Sequence, residues 1–271
     1  MVDRQDDVNP YERVKSVKQY LVVPKTNPEY WTEPKGLMFI SEKFYDEKGR
    51  EIKRFCKNCD VASHGPSCDV VEKYYYAGDE LVKIRREGRD TIETEIKVFK
   101  DKQIKVEYLK AKGNFVGLNY VTMDKFDKEV RRVNLDFSYF NEINSYNVGY
   151  SIIDNKWSGD ENTANKYRGQ FSLNKNAASE IAKADLSNLQ AIVSDYYMKF
   201  MSYKDNYHDS EDVSVYEDGK LLKTKTGYFG YYKNRIDSNL YFYDSKGLLV
   251  QMKVHYGVYD GDYRYVYSFR E

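Results

Sequence analysis

Lys43–Phe55 reads KFYDEKGREIKRF, and its internal pattern decides the fold class. An aromatic strand runs into Tyr45-Asp46, a turn carries Gly49, and an alternating strand leaves through Ile52. An Asp-x-x-Gly element admits the positive φ of a tight reversal. Alternation on both sides places Phe, Tyr and Ile on one face and Lys, Glu and Arg on the other.

The pattern recurs along the chain. Lys73–Arg86 is KYYYAGDELVKIRR, with Gly78-Asp79 at its turn. Lys97–Lys110, KVFKDKQIKVEYLK, repeats it without the glycine, and Val121–Val133, VTMDKFDKEVRRV, is a weaker copy. Ser214–Thr224, SVYEDGKLLKT, and Leu240–Val254, LYFYDSKGLLVQMKV, follow. Val14–Val23 reads as an opening strand and Tyr263–Phe269 as a closing one. One hairpin cannot bury its apolar face alone, but stacked hairpins can. The expectation is therefore a mainly β protein: a long antiparallel meander of repeated hairpins in one domain over residues 11–271, after a disordered tail at 1–10.

One segment breaks the rhythm. Ile181, Leu186, Leu189, Ile192, Val193, Tyr196, Tyr197 and Phe200 recur at spacings of three and four, which predicts an amphipathic helix over about 177–201, packed on the sheet. Asn174 or Asn176 could cap its start, and Asp185 or Ser187 could restart it after a kink. Asp154–Asn176 is polar and reads as a long loop. The helix thus lies in an insertion at about 154–212.

The Y-D-x-x-G cores at Tyr45–Ile52 and Tyr243–Leu249, closed by Ile three or Leu two residues after the glycine, with Tyr216–Leu221 as a shorter variant, resemble YD (Rhs-type) repeats. They also resemble the tyrosine–glycine β-hairpin repeats of lipoproteins and surface proteins of Bacteroidota, and the opening VKSVKQY is similar to the start of such proteins. The resemblance spans about two thirds of the chain. It implies an architecture and an exported location, and no reaction. Full YD-repeat shells are much longer and enclose a toxin, which this chain is too short to do.

Composition narrows the function classes. Of 271 residues, 41% are hydrophobic and 32% charged, which reads as too apolar for a disordered chain and too polar for a membrane protein. Lys+Arg and Asp+Glu both number 43, so the excess positive charge on which nucleic-acid binding relies is absent. No apolar run of roughly 18 residues spans a membrane as a helix. Met1–Pro10 is polar and acidic. It reads either as a cytoplasmic start or as the tether of an exported protein whose leader or lipid anchor has been removed. Export to the periplasm or cell surface is the favoured expectation.

All three cysteines fall between residues 56 and 68, as Cys56-x-x-Cys59, His64 and Cys68. Four such ligands suit a structural zinc, in a spacing similar to a zinc knuckle with its last gap one residue short. A disulfide, Cys59–Cys68 or Cys56–Cys68, and three free thiols are the alternatives. His208-Asp209-Ser210-Glu211-Asp212 could bind a metal or supply a base, and reads otherwise as a polar loop. His255 reads as a strand residue without a chemical role. No nucleotide-binding or hydrolase motif is present. Of the 28 tyrosines, Tyr228, Tyr231 and Tyr232, with Phe229, form the leading candidate binding surface. Tyr74–Tyr76, Tyr256, Tyr259 and Tyr263 are further candidates. In the competing reading alternate members cover the core and line cross-strand pairs. The expected function is a non-catalytic binding or scaffold protein contacting a protein or glycan. A cytoplasmic toxin-immunity-type partner, or an enzyme acting near His208 or the cysteines, is the alternative.

Overall fold

In a computed structural model the chain is described over residues 9–22, 36–60, 67–140, 145–202, 208–229, 235–256 and 259–270. The strands in chain order are β1 (Val14–Val22), β2 (Leu37–Tyr45), β3 (Glu51–Asp60), β4 (Cys68–Ala77), β5 (Glu80–Glu87), β6 (Thr91–Phe99), β7 (Ile104–Ala111) and β8 (Asn114–Met123). They continue as β9 (Glu129–Phe140), β10 (Ser145–Ser158), β11 (Glu161–Asn174), β12 (His208–Glu217), β13 (Lys220–Tyr228), β14 (Ile236–Tyr243), β15 (Leu249–Tyr256) and β16 (Tyr259–Phe269). Helices α1 (Lys175–Lys183) and α2 (Leu186–Met201) lie between β11 and β12.

The protein is mainly β and antiparallel, and each strand pairs with its neighbours in sequence. The expected open meander needs one correction. β1 also pairs with β16, from Val14↔Phe269 to Leu21↔Tyr263, so the strand order closes on itself as a 16-strand barrel. Closure satisfies the N–H and C=O groups that an open sheet leaves bare at its two edges.

The repeated turn has one recurring geometry. Asp46 Oδ1 accepts from the Lys48 and Arg50 amides at 3.0 and 2.9 Å. Asp124 does the same with Phe126 and Lys128 at 2.8 and 3.0 Å, and Asp244 with Lys246 and Leu248 at 2.9 Å each. The fourth residue of each turn has positive φ: Gly49 at 72°, Asp127 at 59° and Gly247 at 80°. Asp127 shows that the turn does not require glycine, which explains why the Val121–Val133 copy looks degenerate. Asp79 occupies a shorter turn after Gly78, and its carboxylate bonds Lys48 and Arg50 instead.

Two compact units divide the chain. Unit 1 comprises residues 1–91, 217–223 and 237–271. Its core joins Val14, Val17 and Leu248 to Tyr11, Tyr45, Tyr265 and Tyr267. The Tyr11 and Tyr45 rings stack at 5.1 Å, and the Tyr267 hydroxyl donates to the Leu249 carbonyl at 2.6 Å. Burial, reinforced by neighbouring tyrosines, pushes the Tyr265 phenol up to about 12. These tyrosines therefore serve as core residues.

Unit 2 comprises residues 92–216 and 224–236. Its core takes Val106, Leu118, Leu135, Val148 and Ile152 from β7 to β10, and Ile181, Leu189, Val193 and Phe200 from the helices. The Tyr150 and Phe200 rings stack at 3.7 Å. The helical segment has two parts, and Asp185 caps the second by accepting from the Asn188 amide at 2.9 Å. The expected loop at Asp154–Asn176 is instead a hairpin, with β10 and β11 in unbroken register from Ser145↔Asn174 to Ser158↔Glu161. The His208–Asp212 segment is also strand rather than loop, and Lys166–Asp212 and Arg168–Asp209 ion pairs hold it to β11.

Truncating fully buried Leu189 to Ala is expected to cost about 2–5 kcal/mol of unfolding free energy through lost transfer energy and a residual cavity. Met198→Ala, 69% exposed on the same helix, is expected to change the denaturant midpoint little. Asp244→Ala removes two backbone hydrogen bonds and is expected to cost about 1–2 kcal/mol, against a near-neutral Asp79→Ala. Equal effects of the two turn substitutions would contradict the assigned geometry.

Candidate functional site

The cysteine segment lies where β3 and β4 part. Their register is regular up to Cys56↔Val70 and resumes at Asp60↔Cys68, with a shift between. Asn58 takes φ 55° there, and its amide donates to Asp69 Oδ1 at 2.9 Å. This bulge brings Cys56 and Cys59 into a disulfide with Cα atoms 5.6 Å apart, and leaves the half-buried Cys68 as a free thiol. The two pairings through Cys68 that the sequence suggested are not formed. His64 lies outside the described residues. Among the described residues no group of three or more His, Cys, Asp or Glu gathers to hold a metal. A zinc ion at Cys56, Cys59, His64 and Cys68 would need the Cys56–Cys59 bond opened to free two thiolates.

The His208 segment is built differently from a metal or base site. β11, β12 and β13 run side by side, so Tyr167, His208 and Phe229 form an aromatic ladder. His208 stacks on Phe229 at 3.9 Å and on Tyr167 at 4.8 Å. Tyr167 packs against the unit 2 core, whereas Phe229 is 41% exposed. The ladder thus carries the apolar face outward to solvent. Beside it, the Arg235 guanidinium lies 5.2 Å from the Tyr228 ring centre. Tyr231 and Tyr232 lie outside the described residues.

Tyr74 and Tyr76, also nominated, have structural partners. The Tyr74 hydroxyl donates to Glu72 at 2.8 Å, and the Tyr76 hydroxyl to the Glu51 carbonyl at 2.9 Å. Arg50 covers the Tyr76 ring at 4.5 Å. Tyr75 and Tyr256 remain exposed. His255 Nδ1 pairs with Asp260 at 2.6 Å in a surface hollow of about 340 Å³ that Leu240 and Val254 also line.

Three further residues form a contact that the sequence does not announce. Arg131 donates to Asp154 at 2.6 Å and covers the Tyr197 ring of α2 at 3.7 Å. The Tyr197 hydroxyl donates to the other Asp154 oxygen at 3.3 Å. This triad latches the helix to the sheet. Its members are far apart in sequence, so no local signal announces it.

The opposite face of unit 2 is charged. Glu107 accepts from Asn119 at 2.8 Å and pairs with Lys105 at 2.8 Å and Arg132 at 3.6 Å. Burial alone would raise its carboxyl, but these partners outweigh burial and hold it below its ordinary 4.5.

No family model matches the chain, and no curated protein matches it. Among solved structures, a crystal structure of a porin-like protein from Bacteroides uniformis is similar over 94% of this chain and 98% of that one, at 11% identity and a TM-score of 0.31. A likeness at that level carries no argument about function.

Because Glu107 has a lowered pKa in the folded protein, its contribution is present above its unfolded value and lost as pH falls through the folded one. Glu107→Gln is therefore expected to show a shallower loss of stability than the parent between roughly pH 5 and 3, measured by urea unfolding. An identical slope would show that the carboxylate is not coupled to folding.

Proposed function

We propose that the protein is a non-catalytic binding protein, exported and surface-attached, that contacts a macromolecular partner through the aromatic end of unit 2. The exposed Phe229 ring, stacked on His208 and backed through Tyr167 by the core, carries this reading. A rigid, half-exposed aromatic held by a packed ladder loses little entropy on binding and supplies much contact area. The His208 ring, engaged by two aromatic neighbours, suits packing better than proton transfer.

The Cys56–Cys59 disulfide supports export, since oxidising compartments preserve such bonds. The common Asp turn at 46, 124 and 244 supports the likeness to YD hairpin repeats as an architecture. Among the described residues, the two faces of unit 2 speak against contact with lipid. One side carries Lys105, Arg132 and Lys166, and a basic residue at a bilayer midplane costs about 2–4 kcal/mol. The other side is covered by α1 and α2. A membrane attachment through a lipid anchor fits this better than a spanning barrel.

A photo-crosslinking amino acid placed at Phe229 is expected to give one discrete adduct in cells of the native host. The same group at exposed Met198 is expected to give none. Equal labelling from both positions, or no adduct from Phe229, would reject the contact.

A further inference from the structure

The charged face of unit 2 contains one area where short and uncharged side chains predominate. Two rows of side chains cross β8 to β11 there. The first is Gly117, Asp136, Gly149 and Gln170, and the second is Asn119, Asn134, Ser151 and Arg168. Elsewhere this face is filled by long paired side chains such as Lys105–Glu107 and Arg132–Glu129. Here it sinks into a trough of about 460 Å³, lined by Asn134, Asp136, Gly149, Ser151, Arg168 and Gln170 among others.

Packing explains two nearby glycines and not the third. A Cβ at Gly117 would press on the Leu135 carbonyl at 2.9 Å, and one at Gly169 would run into the Tyr150 ring. A Cβ at Gly149 would meet nothing closer than Asp136 Cβ at 3.9 Å, and its φ is not in the left-handed region. Glycine within a strand is less stable than alanine, so the fold alone would be better served by a side chain at this position. What the missing side chain provides is the floor of the trough.

The polar groups around that floor point to the ligand. Asp136 is exposed and offers carboxylate oxygens, while Gln170 and Ser151 can each donate and accept. Asn134 donates to Ser151 at 2.8 Å, and its buried Oδ1 has no hydrogen-bond partner among the described residues. Arg168 supplies a guanidinium already balanced by Asp209 at 3.0 Å. A carboxylate beside a guanidinium already balanced by Asp209 disfavours an anion, whereas hydroxyl groups can donate to the carboxylate and satisfy the amide and hydroxyl donors and acceptors alike. The volume lies within the range of small-ligand sites. We propose that this trough binds a neutral, hydroxyl-rich ligand of the chemical class of a sugar ring, at a site separate from the Phe229 contact.

The test is a printed array of neutral and sialylated oligosaccharides probed with the full chain, followed by calorimetric titration of the best neutral sugar. Binding of neutral sugars is expected, with at least a tenfold loss of affinity in Gly149→Val, which fills the trough, and in Asp136→Asn. Phe229→Ala should bind as the parent does. Thermal melts establish that each variant is folded, and Asp136→Asn, a near-isosteric change at an exposed residue, decides the matter if Gly149→Val is not. The proposal is overturned if no neutral sugar binds, if only sialylated ones bind, or if affinity survives in the folded trough variants. Loss of binding in Phe229→Ala with the trough variants unaffected would also overturn it, and would leave the Phe229 contact standing.

Discussion

A turn aspartate that accepts two backbone amides is the constraint on which the ribbons depend. At Asp46, Asp124 and Asp244 the carboxylate satisfies N–H groups two and four residues on, where the chain reverses. Fixing the reversal fixes the register, and a one-residue slip would send every side chain to the opposite face. In unit 2 the Asp124 turn sets the β8–β9 register in this way, with Leu118 opposite Leu135 and Tyr120 opposite Val133 on the buried side.

Burial then acts on the separated faces. In unit 2 the apolar face is covered by α1 and α2, whose Ile181, Leu189, Val193 and Phe200 lie in the same core as the strand residues. The helices are also anchored by a polar latch, because Asp154 receives both Arg131 and Tyr197. In unit 1 no helix is present among the described residues, and tyrosines fill the core. Tyr11, Tyr45, Tyr265 and Tyr267 surround three aliphatic residues, and their hydroxyls need partners such as the Leu249 carbonyl. A phenol supplies an apolar body with a polar tip, which suits a core with few aliphatic side chains.

The proposed functional features lie where these rules are relaxed. Phe229 leaves an aromatic ladder half exposed, and Gly149 leaves a strand interior without a side chain that the backbone could accommodate. Each departs from what stability alone would favour, at a position where a binding partner would gain access.

By itself the sequence determined the ribbons, because turn chemistry and alternation are local. The hairpins at Lys43–Phe55, Lys73–Arg86 and Leu240–Val254 and the Asp185 cap were legible for that reason. Their turn residues and flanking side chains are adjacent in the chain. Only the tertiary structure decided the β10–β11 hairpin and the strand at His208. Their Asn, Ser and Asp residues read as loop, and the partners that make them strand lie on neighbouring ribbons: Arg168 for Asp209, Lys166 for Asp212 and Asn155 for Asn162. The β1–β16 pairing, the helix latch and the trough were hidden for the same reason. Each joins residues whose proximity depends on register between strands, and a one-dimensional pattern carries no term for that.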